Sequence, residues 1–189
     1  MTVRQLTLEE LNAGLAGILR APKDGGPLRM IVRRPGVGQR EVLQEGRLDC
    51  EVGLVGDTWH MRASSRTGDG TPHPDMQINV MSVRVISLLA QSDDRWPLAG
   101  DQLFLDLDLT VDNLPAGTRL TLGSAVIEVT GEPHTGCGKF VERFGVDATK
   151  FVNSAEGRRL NLRGINARVV QPGTIRVGDV ARKAVLQVT

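Results

Sequence analysis

Aromatic residues are scarce in this 189-residue chain: they make up 3% of it, with two tryptophans, four phenylalanines and no tyrosine. Surfaces that hold nucleic acid strands stack successive bases on aromatic rings, so the composition argues against such a surface. Charge of one sign is missing as well. The 23 Lys and Arg offset 22 Asp and Glu to a net +1, leaving no overall field to draw nucleic acid or an anionic membrane. Two cysteines, Cys50 and Cys137, are too few for a disulfide framework, and reduced thiols in the cytoplasm are the expectation. No apolar run approaches the length of a membrane span. The one apolar stretch near the N-terminus follows Glu9-Glu10 and is broken by Asn12 and Gly14, which is no secretory signal. The expected class is therefore a cytoplasmic protein with no nucleic acid or membrane partner. Oligomeric state is not legible.

What is present is glycine, 22 residues of it, with 40% hydrophobic residues at a length that suits one domain over 1–189. Thr7-Leu8-Glu9-Glu10 reads as a capping box, and Leu8, Leu11, Leu15 and Ile18 recur at helical spacing until Pro22 and Gly25-Gly26. Segments 28–34 and 40–44 flank Pro35-Gly36-Val37-Gly38 as a hairpin, its adjacent arginines Arg33 and Arg34 read as a solvated face. Strand patterns recur at 77–80, 103–109, 118–122, 125–130, 164–170 and 174–179, with a helix after Ser82 as its cap. Leu103, Leu105, Leu107 and Leu109 form the buried face of the clearest strand, with Asp106 and Asp108 on the solvated one. Phe140 and Phe144 share a helical face as core, and Asp147 opens a further short helix. Many short strands and few helices point to a mainly β, α+β chain built as a β-barrel with helical decoration. In this reading 1–50 is a helix and hairpin packed on a core over 51–180.

Chemistry concentrates at Glu132-Pro133-His134-Thr135-Gly136-Cys137-Gly138-Lys139. Flanking glycines bare the backbone for a close approach, and positive charge beside a thiol favours the thiolate, both nucleophile and metal ligand. Three uses of Cys137 stay open: one of two ligands with His134, a nucleophile with His134 as base, or the single thiolate on a soft metal carried by an organic cofactor. The first lacks a second ligand pair. A long polar stretch, His60 to Asp75, has no periodicity, and Arg62, Ser64, Ser65 and Arg66 on it are either a phosphate fork or a mobile surface loop. Arg158, Arg159, Arg163 and Arg168 serve either an acidic cofactor or the surface.

The order of several motifs resembles the MOSC family, the C-terminal domain of molybdenum cofactor sulfurases, also found as small stand-alone bacterial proteins. Gly53-Leu54-Val55-Gly56-Asp57, Gln77-Ile78-Asn79-Val80, 120–130 running into Cys137 and Lys139, and 163–170 with 173–179 carry the likeness. The chain departs from it at Gly136, where many members have proline, and at Asp101-Gln102-Leu103-Phe104, where many have an acidic Glu-Asn motif. The resemblance implies a MOSC-type β-barrel that binds molybdenum cofactor (molybdopterin), with Cys137 as molybdenum ligand or as persulfide sulfur carrier. Under it Lys139, Arg143 and Arg168 are expected to hold the pterin phosphate or to lower the thiol pKa, and Asp57, Thr58 and Asn166 to make polar pocket contacts. No pyridoxal-phosphate domain is present in this sequence. The activity implied is reduction of an N-oxygenated small molecule. A non-catalytic carrier handing cofactor or sulfur to an accepting enzyme is the alternative, and a metal-free cysteine hydrolase the third.

Overall fold

The structure, a computed structural model, describes residues 4–184. Helix α1 (Leu8–Ile18) starts at Thr7, whose hydroxyl accepts from the Glu10 amide while the Glu10 carboxylate accepts from the Thr7 amide. That reciprocal cap satisfies two donors the helix would otherwise leave orphaned. Strands β1 (Gly26–Arg33) and β2 (Glu41–Leu43) form the expected hairpin. Beyond it come β3 (Glu45–Asp49), β4 (Gly53–Leu54), β5 (Ile78–Ser82), α2 (Val83–Ala90) and β6 (Leu103–Leu105). Then follow β7 (Arg119–Leu122), β8 (Ala125–Val129), α3 (Gly138–Phe144), α4 (Val146–Asn153) and α5 (Ala155–Arg159). Strands β9 (Ile165–Gln171), β10 (Gly173–Arg176) and β11 (Val180–Lys183) close the chain.

Seven strands make a barrel in the order β11-β7-β8-β9-β5-β6-β1, and β1 pairs with β11 to close it. All neighbours run antiparallel except β5 and β6. A parallel pair needs a crossover, which α2 and the 3-10 segment Asp93–Ala99 supply. Strand β2 extends the barrel wall from β1, while β10, β3 and β4 form a small second sheet.

Alternation along the strands splits the core in two. Leu28, Ile31, Ile78, Val80, Leu103 and Leu105 point into the barrel. Val32, Met81 and Phe104, from the same strands, point outward under a layer built from α1, α2, α3 and α4. This layer corrects the reading of 103–109. Its strand ends at Leu105, and Phe104 is fully buried on the outer face. Leu107 and Leu109 still fill the barrel, but the ladder to β1 stops at Leu105, and the Asp106 and Asp108 amides donate to the Pro27 and Pro22 carbonyls. Asp106 and Asp108 are half-buried and Asp106 is held by Arg84 at 2.7 Å, so this face is not the solvated one expected. Ser82 stands at the start of α2 as expected, yet its buried hydroxyl makes no cap bond and, among the described residues, has no partner. Among the described residues no helix is long and apolar enough to cross a membrane.

Candidate functional site

Cys137 sits at the start of α3, exposed, as is Cys50 elsewhere on the surface. The helix is anchored from below, where Phe140 and Phe144 are buried with ring centroids 4.8 Å apart. The turn before it is clamped. Asn153 accepts from the Gly136 amide at 2.8 Å and donates to the Gly136 carbonyl at 3.0 Å. A side chain at 136 would also crowd Phe140, Thr149 and Val152, which accounts for glycine where a proline was the family expectation.

Behind this turn runs a chain of polar contacts that sequence reasoning largely missed. Arg34, read as solvated, is only 4% exposed. Its amide, Nε and Nη2 all donate to the Asp57 carboxylate, at 2.9, 2.7 and 2.8 Å. The reason is topological: β1 ends beside the turn after β4, and a buried guanidinium there requires a carboxylate partner. Gly56, at φ +83 and packed against Arg33, gives that turn the left-handed backbone that brings Asp57 round. Arg34 Nη1 then donates to Asn79 Oδ1 and the Gly100 carbonyl. Asn79 donates to Asn166, and Asn166 to the Glu132 carbonyl at 3.0 Å. The cysteine loop is thus tied to the barrel end through Asn166 and to α4 through Asn153.

A second buried pair lies alongside. Arg163 Nη1 contacts both Asp101 oxygens at 2.8 and 3.0 Å, and its guanidinium lies 4.9 Å from the Phe140 ring centre. Burial pushes the Asp101 carboxyl above its ordinary value, against the pull of Arg163. His134 Nδ1 is buried 3.5 Å from Asp101 and, among the described residues, has no hydrogen bond. Burial first, then the charges of Arg163 and Arg34, hold the His134 pKa well below the usual imidazole range, so the ring is neutral at pH 7.

Above these pairs opens a cavity of about 590 Å³, with Cys137 and His134 in its wall. Arg34 and Arg163 line it with their charges already matched. Arg40, Arg62, Lys139 and Arg143 line it as well, and among the described residues none of the four has a carboxylate within 4.0 Å. Glu142 is the lone carboxylate of the lining. Burial, then Arg143, Arg34 and Arg62, lowers the pKa of Arg40, and burial followed by Arg34 lowers that of Arg62. Cations crowded and partly stripped of water in this way favour an anionic occupant. Among the described residues no three His, Cys, Asp or Glu side chains group as a metal site. A metal at Cys137 would need its remaining ligands from a carrier molecule.

The family model for the MOSC domain matches residues 74–182, more than half of the chain. The chain belongs to the MOSC domain family. The fold agrees: the YuaD protein from Bacillus subtilis is similar at a TM-score of 0.59 and 20% identity, over 82% of this chain and 93% of that one. YiiM from Escherichia coli gives a TM-score of 0.54 at 18% identity, over 84% and 70% of the two chains. YiiM from Geobacillus stearothermophilus gives 0.52 at 15%, over 86% and 75%. A search of the curated proteins gives no match. The matched span begins after Gly53–Asp57, so that motif's place in this MOSC protein is argued from its geometry.

Of the residues the sequence singled out, the structure brings Cys137, His134, Arg62, Lys139 and Arg143 to one cavity. Asp57 and Asn166 stand behind the wall as holders of Arg34 and of the Glu132 carbonyl. Thr58 holds Arg62, accepting from Nε and Nη2 at 3.2 and 2.9 Å. Arg66 lies in an adjoining trough and pairs with Glu132. Arg168 lies outside both, committed on the surface to Glu128 and Asp75. From the four-arginine group only Arg163 reaches the site. Arg158 bonds the Asn153 carbonyl, and Arg159 pairs with Asp112 and Glu156.

Proposed function

We propose that this MOSC protein binds the molybdenum cofactor in the cationic cavity, with the Cys137 thiolate as a ligand to the metal. The family is associated with that cofactor, and the lining fits its chemistry. A phosphate-bearing pterin that presents sulfur to its metal is strongly anionic, and the cavity offers four cations that have no carboxylate partner among the described residues. One exposed thiol stands at their edge. That juxtaposition of an accessible cysteine and uncompensated cations is the observation that carries the proposal.

When bound, the cofactor would supply two-electron redox chemistry. The protein's own residues would do the rest. Lys139, Arg143, Arg40 and Arg62 would hold the anionic groups. The Asp57–Arg34 and Asp101–Arg163 pairs keep two further guanidinium groups fixed without reorganisation when charge arrives. The Asn153 clamp on Gly136 holds the cysteine turn in place, and Cys137 gives up its proton on coordination. The catalytic use favoured is reduction of an N-oxygenated small molecule, with electrons from an external reductant.

A hydrolase built on Cys137 and His134 finds less support. A base must accept a proton, and an imidazolium at His134 would be buried beside Arg163 and Arg34. The exposure of Cys137 also suits a carrier, because a partner enzyme could reach the thiol directly. Molybdenum and pterin measured in protein from cells rich in cofactor decide first. Near one of each per chain, lost in Cys137→Ser, is the expected result. No cofactor in either form rejects the cofactor-binding reading. Turnover of a hydroxylamine by the loaded protein favours the reductase, and transfer to an apo-enzyme without turnover favours the carrier.

A further inference from the structure

Trp59 is the exception among the aromatic side chains. Trp96, Phe104, Phe140, Phe144 and Phe151 are all buried, whereas Trp59 is only partly covered. It lines a trough of about 300 Å³ on the far side of Arg34 from Cys137, with Met76 providing a second apolar wall. Arg62, Arg66, Ser64 and Ser65 complete it with cations and hydroxyls. Arg34, Arg62 and Asn79 line both the trough and the Cys137 cavity, so the two adjoin.

The trough is built rather than accidental. The Trp59 amide donates to the buried Asp57 carboxylate at 2.9 Å, which fixes the turn that carries the ring. Thr58 holds Arg62 by two of its nitrogens, and among the described residues Nη1 has no hydrogen-bond partner. Glu132 ties down the opposite bank, pairing with Arg66 and lying 3.7 Å from His73 Nε2. A flat indole and a thioether favour a planar ring, and arginines with serine hydroxyls favour a phosphate. Inorganic phosphate would leave the apolar wall unused, and a nucleic acid strand would need more than one stacking ring.

We propose that this trough is a nucleotide subsite, taking a heteroaromatic base against Trp59 and a phosphate at Arg62 and the neighbouring serines. A free nucleotide and the nucleotide end of an extended pterin cofactor share this chemistry. The subsite stands on the trough's own residues; only the second source rests on the cofactor reading above.

With no tyrosine in the chain, fluorescence excited at tryptophan comes from Trp59 and the buried Trp96 alone. Guanosine and cytidine 5′-monophosphates titrated into the full chain should quench it saturably. The matching nucleosides should bind about tenfold more weakly, as expected for loss of a charge-assisted hydrogen bond. Arg62→Ala should erase that difference, and Trp59→Phe should lose the quenching while keeping most of the affinity by calorimetry. Full chain purified from cells that make no pterin cofactor should still bind the nucleotides, which separates this inference from the fate of the metal site. Mass spectrometry of the extracted pterin assigns the source: a nucleotide-bearing form means the cofactor's own end occupies the trough, and a phosphate-only form with binding of added nucleotide means a free one. No saturable binding in protein whose pterin carries no nucleotide overturns the proposal. So does equal affinity for nucleotide and nucleoside.

Discussion

Replacing Asp57 by alanine should be among the most damaging changes at the barrel end. The carboxylate is buried and accepts from Arg34 Nε, Nη2 and amide and from the Trp59 amide. Without it Arg34 keeps only the Asn79 and Gly100 oxygens, and a guanidinium is left buried and unbalanced. Breaking a buried pair from one side costs about 3–5 kcal/mol. In a chain of this size each kcal/mol moves the midpoint by about 2–4 °C, so a fall of about 6–20 °C is expected. Calorimetry with a urea titration measures it, and the double variant Arg34→Met, Asp57→Ala should recover part of the loss because the stranded charge is gone. A fall under about 1 kcal/mol, or a double variant worse than Asp57→Ala, would refute the buried-pair argument. The pH dependence carries a sign. Burial raises the Asp57 carboxyl, yet the Arg34 hydrogen bonds and charge outweigh it and hold it below its ordinary value. Stability from this pair is therefore complete above about pH 4 and is lost as pH falls through the lowered value; Asp57→Ala should flatten that acid limb.

Three further expectations follow from single contacts. Asn153→Ala removes both bonds to Gly136, so cofactor content should fall with Cys137 intact, at a stability cost of about 1–3 kcal/mol read by urea titration. Gly164 has φ +102, and a Cβ there would lie 2.2 Å from the Val80 carbonyl; Gly164→Ala should lower the thermal midpoint more than Gly138→Ala, where the space is open. His134 has a depressed pKa, so the unfolded chain takes up a proton from about pH 6.5 downward that the native one refuses. Stability should fall steadily as the pH drops below about 6.5, and His134→Phe should remove that slope; an unchanged slope would contradict the neutral buried ring.

The barrel was legible because its strands carry local signals: alternation at 119–122 and 125–129, and turns at Pro115-Ala116-Gly117 and Gly123-Ser124. Thr7 and Glu10 announced α1 for the same reason, a cap being a contact three residues apart. The candidate site was legible at Cys137 and its sequence neighbours and at Arg62, but not in the buried pairs behind them. Arg34 and Asp57 lie 23 residues apart and Arg163 and Asp101 62 apart, and a charge beside another arginine reads as solvated until its distant partner is known. Arg168 alternates outward on β9 toward Glu128 on β8, 40 residues away, a partner its own neighbourhood in the sequence does not announce. Asp101 was noticed only as a departure from the family pattern, although its burial makes it the anchor of Arg163. The strand at 103–109 was overextended because a continuous leucine alternation cannot report where the partner strand changes neighbour, as β1 does at Gly26 and Pro27, which pair with β11.

Alkylation of the two cysteines tests the central claim most directly. Cys50 and Cys137 are both exposed and free, so Cys50 serves as the internal reference. Mass spectrometry after timed iodoacetamide treatment would compare cofactor-loaded with cofactor-free protein. Protection of Cys137 alone in the loaded form is the predicted result. Equal labelling of Cys137 in the two forms would contradict a thiolate engaged at the metal.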